Sequence, residues 1–132
     1  NWLKRVSAEI DSGCIYISGA VEFDDRPGPV RDALVAMVRT WQQALERAIH
    51  AAVTEGHLRP ETEAQQLLFE LHGLVLALHH DARFLQTPGA VERARVAFER
   101  LVDHHATPAG RRTAGAAAPR KAGPTRHRKP EA

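Results

Sequence analysis

The sequence predicts an all-α fold, an antiparallel helical bundle of about five helices with a disordered C-terminal tail. Apolar residues recur at steps of three and four over most of residues 1–105, which is the period of an amphipathic helix. Hydrophobic residues make up 43% of the chain and charged residues 26%, the composition of one globular domain.

Two short helices are predicted ahead of the first long one, at about 2–10 and 14–24, with an Asp-Ser-Gly turn between them. Ile15, Tyr16 and Val21 in the second piece would also tolerate a strand. We favour a helix, because a lone strand has no partner elsewhere in the chain and would leave its backbone groups unsatisfied.

A long helix is predicted over about 29–55. Pro29 suits its first turn, where the missing N–H has no intrahelical acceptor to lose, and Gly56 suits the left-handed position after its end. One face carries the apolar stripe Val30, Leu34, Met37, Val38, Trp41, Leu45, Ala48, Ile49, Ala52 and Val53. The opposite face carries Arg39, Gln43, Glu46 and His50.

A second long helix is predicted from about Pro60 to Gln86, with Glu61 and Glu63 at the end that favours negative charge. Its apolar residues leave only a narrow polar strip, so it should be buried on two sides; they are Leu67, Leu68, Phe69, Leu71, Leu74, Val75, Leu76 and Leu78. A last helix is expected at about 88–104. Short connections predict that these two helices are antiparallel neighbours.

The final 27 residues differ sharply in composition from the rest. No large apolar residue follows Val102, and residues 106–132 hold seven basic side chains against Glu131 alone, a net charge of +6. Such a segment cannot bury enough apolar surface to offset its ordering entropy. We therefore predict a domain at 1–105, where 11 basic and 15 acidic residues give a net charge of −4, and a disordered basic tail at 106–132.

Several functional classes find no support in the sequence. Cys14 is the only cysteine, which excludes an internal disulfide. No apolar run is long enough for a membrane span or arranged as a signal peptide, so we expect a cytoplasmic protein that does not bind membranes. No nucleophile elbow, phosphate-binding glycine loop or metal-ligand motif occurs. We expect no enzyme activity, no cofactor and no metal.

Several short motifs occur in a fixed order along the chain: Ser-Gly-Cys at 12–14, Glu-Phe-Asp-Asp-Arg-Pro-Gly-Pro-Val-Arg-Asp at 22–32, Trp41, Gly-His-Leu at 56–58 and Phe-Glu-Leu at 69–71. Together they resemble the C-terminal domain of TetR-family transcriptional regulators over roughly residues 1–104. The resemblance implies helices that enclose an effector site and pair with a second subunit. Operator DNA would be bound only through an N-terminal helix-turn-helix domain, which has no counterpart in this sequence.

The effector is expected to be an apolar, uncharged or weakly polar small molecule between the helices at 14–24, 29–55 and 60–86. Lysine and arginine are missing from the predicted inner stripe, which disfavours a strongly anionic ligand. Aromatic and sulfur-containing side chains give adaptable apolar walls, and Tyr16 and His72 could each orient a polar group. The expected ligand-binding residues are Tyr16, Phe23, Met37, Trp41, Leu45, Phe69 and His72.

A homodimer through the last two helices is expected, because they supply more apolar surface than one layer of a small monomer can cover. The expected interface residues are Leu71, Leu74, Leu78, Phe98 and Leu101. The alternative is a helical protein–protein interaction module without a ligand. A solid filling of the space between Trp41 and the helix at 60–86 would favour that alternative.

Overall fold

The computed structural model describes the backbone of residues 13–117 and the side chains of residues 13–113. This part of the chain forms five α-helices and no strand, which confirms the predicted all-α class. The helices are α1 (Ile15–Phe23), α2 (Pro29–Thr54), α3 (Ala64–His79), α4 (Ala90–His105) and α5 (Pro108–Ala117). The helix predicted at 2–10 and the tail beyond residue 117 lie outside the described residues.

The ends of the first three helices follow local chemistry. Pro29 occupies the first turn of α2, and Gly56 has a φ of 75° just after its end, a conformation that glycine adopts without steric cost. At the start of α3 the Glu63 carboxylate accepts hydrogen bonds from the backbone N–H groups of Gln65 (3.3 Å) and Gln66 (2.6 Å). The prediction of a helix over 14–24 is confirmed by α1.

The second long helix is shorter than predicted. Regular α-helix ends at His79 and continues as one π-helical turn, His80–Phe84, in which the Leu85 N–H donates to the His80 carbonyl (3.0 Å). The Thr87 N–H then donates to the Asp81 carbonyl (2.8 Å), and α4 begins two residues after Pro88. The π-helical turn and the short loop after it therefore occupy the residues that were predicted to continue the helix to about Gln86.

The core lies where α2, α3 and α4 meet. Ile49, Ala64 and Leu67 are buried there, and the half-buried Leu45, Leu58, Leu68, Leu71 and Leu101 pack around them. The connection before α3 pairs with the end of α4: the Arg59 N–H donates to the His105 carbonyl (2.9 Å), and Leu58 forms an isolated antiparallel bridge with Ala106. This pairing brings the start of α3 beside the end of α4, so the two helices run antiparallel as predicted.

The structure differs from the predicted disorder at the beginning of the tail, because residues 108–117 form α5. Thr107 attaches this helix to the corner after α2: its N–H donates to the His57 carbonyl (2.9 Å), and its hydroxyl donates to the Gly56 carbonyl (2.6 Å) and lies 3.2 Å from the His57 carbonyl. The prediction of disorder considered only the lack of large apolar side chains, and composition does not show these hydrogen bonds to backbone carbonyls. No helix in the described part of the chain is long and apolar enough to cross a bilayer.

Candidate functional site

Two open clefts lie along one side of α2. The first, called here the polar cleft, lies between α2 and α3 and has a volume of about 370 Å³. The second, called here the apolar cleft, lies between α1 and α2 and has a volume of about 280 Å³. Arg39 and Gln42 line both, so the two clefts adjoin each other on α2.

Six of the eight residues that line the polar cleft have hydrogen-bonding side chains. It is lined by Arg39, Gln42, Gln43, Glu46, Gln65, Leu68, Phe69 and His72. The Gln42 amide nitrogen lies 3.5 Å from His72 Nδ1, and the Trp41 ring contacts His72 with the two ring centroids 5.4 Å apart. Trp41 is 43% exposed with the His72 ring against it, and the space beside Gln43 and Glu46 is open.

The apolar cleft is bounded mainly by small and aliphatic side chains. It is lined by Gly19, Ala20, Phe23, Asp24, Arg31, Leu34, Val35, Val38, Arg39 and Gln42. A Cβ atom at the buried Gly19 would stand 3.0 Å from the nearest Leu34 methyl carbon, so α1 and α2 approach closely beside this cleft. The Arg31 Nε–H donates to the Asp24 carbonyl (3.1 Å), which ties the corner after α1 to α2.

The structure brings together some of the predicted ligand-binding residues and separates others. Phe69 and His72 line the polar cleft, Phe23 lines the apolar cleft, and Trp41 contacts His72. Leu45 packs on the core around Ile49 instead. Tyr16 and Met37 line neither cleft and are 41% and 51% exposed.

Lysine and arginine are absent from the predicted inner stripe, but the two clefts of the structure include arginine beside that stripe. Arg39 lines both clefts and Arg31 lines the apolar one, while Glu46 supplies a carboxylate to the polar cleft. Leu45 and Ile49 of the apolar stripe of α2 pack in the core, whereas Leu34 and Val38 line the apolar cleft, so the open space follows the edge of that stripe. The spacing of Arg39, Gln42, Gln43 and Glu46, at steps of one, three and four, was the sequence signal for this edge.

Most of the residues predicted for a dimer interface lie toward the chain's own core. Leu78 is 4% exposed, which leaves it little surface for a partner. Leu71 and Leu101 pack against the core cluster, and Leu74 and Phe98 are half-buried. The exposed apolar face of α3 is instead formed by Phe69 and Leu76, which are 74% and 42% exposed.

The solvent face of α4 is charged. Arg95 forms two hydrogen bonds with the Glu92 carboxylate (2.6 and 3.0 Å) and another with Glu99. These bonds lower the pKa of Glu92 below its usual 4.5, chiefly through the hydrogen bond from Arg95, and raise the pKa of Arg95. This face of α4 is a solvated surface, and exposed ion pairs of this kind each contribute little stability.

The histidines on and after α3 have separate environments. His72 faces the polar cleft, His79 is buried with its Nδ1 3.0 Å from the Val75 carbonyl, and His80 is exposed beside Asp81. Among residues 13–117 no three histidine, cysteine or acidic side chains are grouped closely enough to hold a metal ion.

Comparison with known families agrees with this architecture. Residues 1–98 match the family model described as "Tetracyclin repressor-like, C-terminal domain". The match covers α1, α2, α3 and about the first half of α4, and it confirms the resemblance seen in the short motifs. No curated protein matches the chain.

Proposed function

The chain belongs to the family of tetracycline-repressor-like C-terminal domains, and from that premise we propose that it is the effector-binding and dimerisation domain of a DNA-binding transcriptional regulator. The family match is the observation that carries this proposal. The all-α fold alone would be compatible with many activities, so the proposed role rests on the family and on the two clefts beside α2.

The effector site is proposed to be the pair of clefts between α1, α2 and α3. Sites for small molecules are concave, have largely apolar walls and carry a few polar groups that orient the ligand. Phe23, Leu34 and Val38 supply apolar wall, and Gln42 and His72 supply polar atoms. The open space beside Gln43 favours this function over the interaction module without a ligand.

Homodimerisation is proposed to use the exposed apolar face of α3 and the turn that follows it. Phe69, Leu76, Phe84 and Leu85 are between 42% and 76% exposed in the single chain. A Cβ atom at Gly73, between the first two, would meet nothing within 4 Å. A second copy would cover this surface, whereas Leu78 would act within each chain.

The same helix would connect the two sites. His72 and Leu68 on α3 line the polar cleft, and Leu76, one turn beyond His72, lies on the proposed dimer face. A ligand that binds more tightly to one spacing of α2 and α3 would favour one arrangement of the two subunits, by no more than its difference in affinity for the two states. Operator DNA would be bound by a separate N-terminal domain.

Sedimentation equilibrium of the 132-residue chain tests the dimer. Leu76→Glu would place a charge on the proposed face and is expected to shift the chain to monomer. Val21→Glu is the control, because Val21 is a 74% exposed apolar residue on a different helix, α1. A wild-type monomer, or a Leu76→Glu chain that dimerises like wild type, would contradict the proposed interface.

Thermal shift with a set of small organic compounds tests the effector site. A ligand at about 100 times its Kd stabilises the folded chain by about 2.7 kcal/mol. If the chain dimerises and no compound raises its melting temperature, the interaction module without a ligand becomes the better description.

A further inference from the structure

The two clefts follow one face of α2. Arg31, Val35, Arg39, Gln42 and Glu46 recur at steps of three and four, and each lines at least one cleft. Residues 31–46 span about 22 Å of helix axis at the usual rise per residue. α1 covers the first half of this face and α3 the second, with Arg39 and Gln42 where the clefts meet.

This continuous face changes in chemistry along its length. The part under α1 is bounded chiefly by apolar side chains such as Phe23, Leu34 and Val38. The part under α3 offers the amides of Gln42, Gln43 and Gln65. An occupant of the whole length would therefore need an apolar body and a polar end.

The positive charge of Arg39 indicates which charge the polar end of such an occupant should carry. Within the described part of the chain its guanidinium has no carboxylate at ion-pair distance, although it lines both clefts. Glu46 is the acidic group of the polar cleft. It lies seven residues away on α2, about 10 Å along the axis, and its carboxylate is 3.9 Å from His50. A carboxylate ligand can pair with Arg39 in a planar, two-bonded arrangement without approaching Glu46.

We infer that the two clefts form a single site for an amphipathic organic acid, whose carboxylate binds Arg39 and Gln42 and whose hydrocarbon part lies along Phe23, Leu34 and Val38. The distance from Arg39 to Arg31, about 12 Å along the helix, suits a medium-length saturated chain. This inference rests on the proposed effector-binding function and names the class of effector.

Isothermal titration of the 132-residue chain with decanoate and with decanol tests the inference, because the two probes share a hydrocarbon chain and differ in the head group. Decanoate is expected to bind wild type about tenfold more tightly than decanol does. Arg39→Gln is expected to weaken decanoate binding about tenfold and to leave decanol binding unchanged. Arg47→Gln is the matched control, because Arg47 is an exposed arginine on the same helix that lines neither cleft.

Equal affinities for decanoate and decanol would overturn the inference, and so would equal decanoate affinities of Arg39→Gln and Arg47→Gln. Amide chemical-shift changes provide a second readout: decanoate should perturb Phe23, Val38 and Gln42, and changes confined to α4 would also overturn it. If neutral compounds raise the melting temperature and decanoate does not, the inference fails while the proposed function stands. If no compound binds and the chain is monomeric, both fail.

Discussion

Gly110 on α5 stands against the backbone of the corner after α2, and its replacement by alanine tests how the start of the tail is held. A Cβ atom at this position would lie 2.1 Å from the His57 carbonyl oxygen and 2.9 Å from the carbonyl carbon. Real Cβ atoms do not approach other atoms closer than 3.0 Å, and the obstacle is backbone, not a flexible side chain. Alanine at 110 therefore requires α5 to move away from His57.

The size of the effect follows from the bonds that such a movement breaks. A retreat of roughly 1 Å takes the 2.9 Å bond from the Thr107 N–H to the His57 carbonyl, and the hydroxyl bond beside it, out of the hydrogen-bonding range. Each is worth about 0.5–1.5 kcal/mol. Alanine gains about 1 kcal/mol in helix propensity over glycine, which offsets part of this loss, so a net loss of up to about 2 kcal/mol in the free energy of unfolding is expected.

Urea unfolding and amide hydrogen exchange measure this loss. Gly110→Ala should lower the free energy of unfolding and speed the exchange of the Thr107 amide. The control is Ala109→Gly at the exposed neighbouring position, which costs up to about 1 kcal/mol through propensity alone and should leave the Thr107 amide protected. If Gly110→Ala is as stable as wild type and keeps that protection, the docking of α5 described here is refuted.

Two further predictions concern helix ends and surface charge. Glu63→Ala removes the acceptor for the Gln65 and Gln66 N–H groups and should cost about 1 kcal/mol in chemical denaturation, whereas Glu61→Ala should cost much less; equal losses would exclude the cap as the cause. Arg95→Gln should raise the pKa of Glu92 toward 4.5 in an NMR titration. Because the folded pKa is lowered, the pair stabilises the fold above pH 4.5 and loses this effect as pH falls through the folded value; an unchanged Glu92 titration in Arg95→Gln would show that Arg95 is not the cause.

The sequence by itself predicted α1, α2, α3 and α4 and their order, but not α5. The apolar period and the residues Pro29 and Gly56 predicted α2 within one residue at its end, and the motif at 22–32 identified the family before any packing was known. These features are local: a proline in a first turn or an apolar stripe has the same physical consequence in most folds. The broad apolar content of α3 predicted burial on two sides; in the single chain one side is buried at Leu67 and Leu78, and Phe69 and Leu76 are exposed.

Only the tertiary structure decided which side chains border the clefts and which fill the core. Arg39 and Glu46 belong to the polar side of α2 in any helical projection, yet they line a cleft because α3 crosses α2 beside them. Leu78 was expected at a dimer face and is buried, and Thr107 and Gly110 hold α5 against residues some 50 positions earlier in the chain. Where one helix crosses another, and which backbone groups lie beneath it, depends on contacts distant in sequence, and periodicity along one helix does not contain that information.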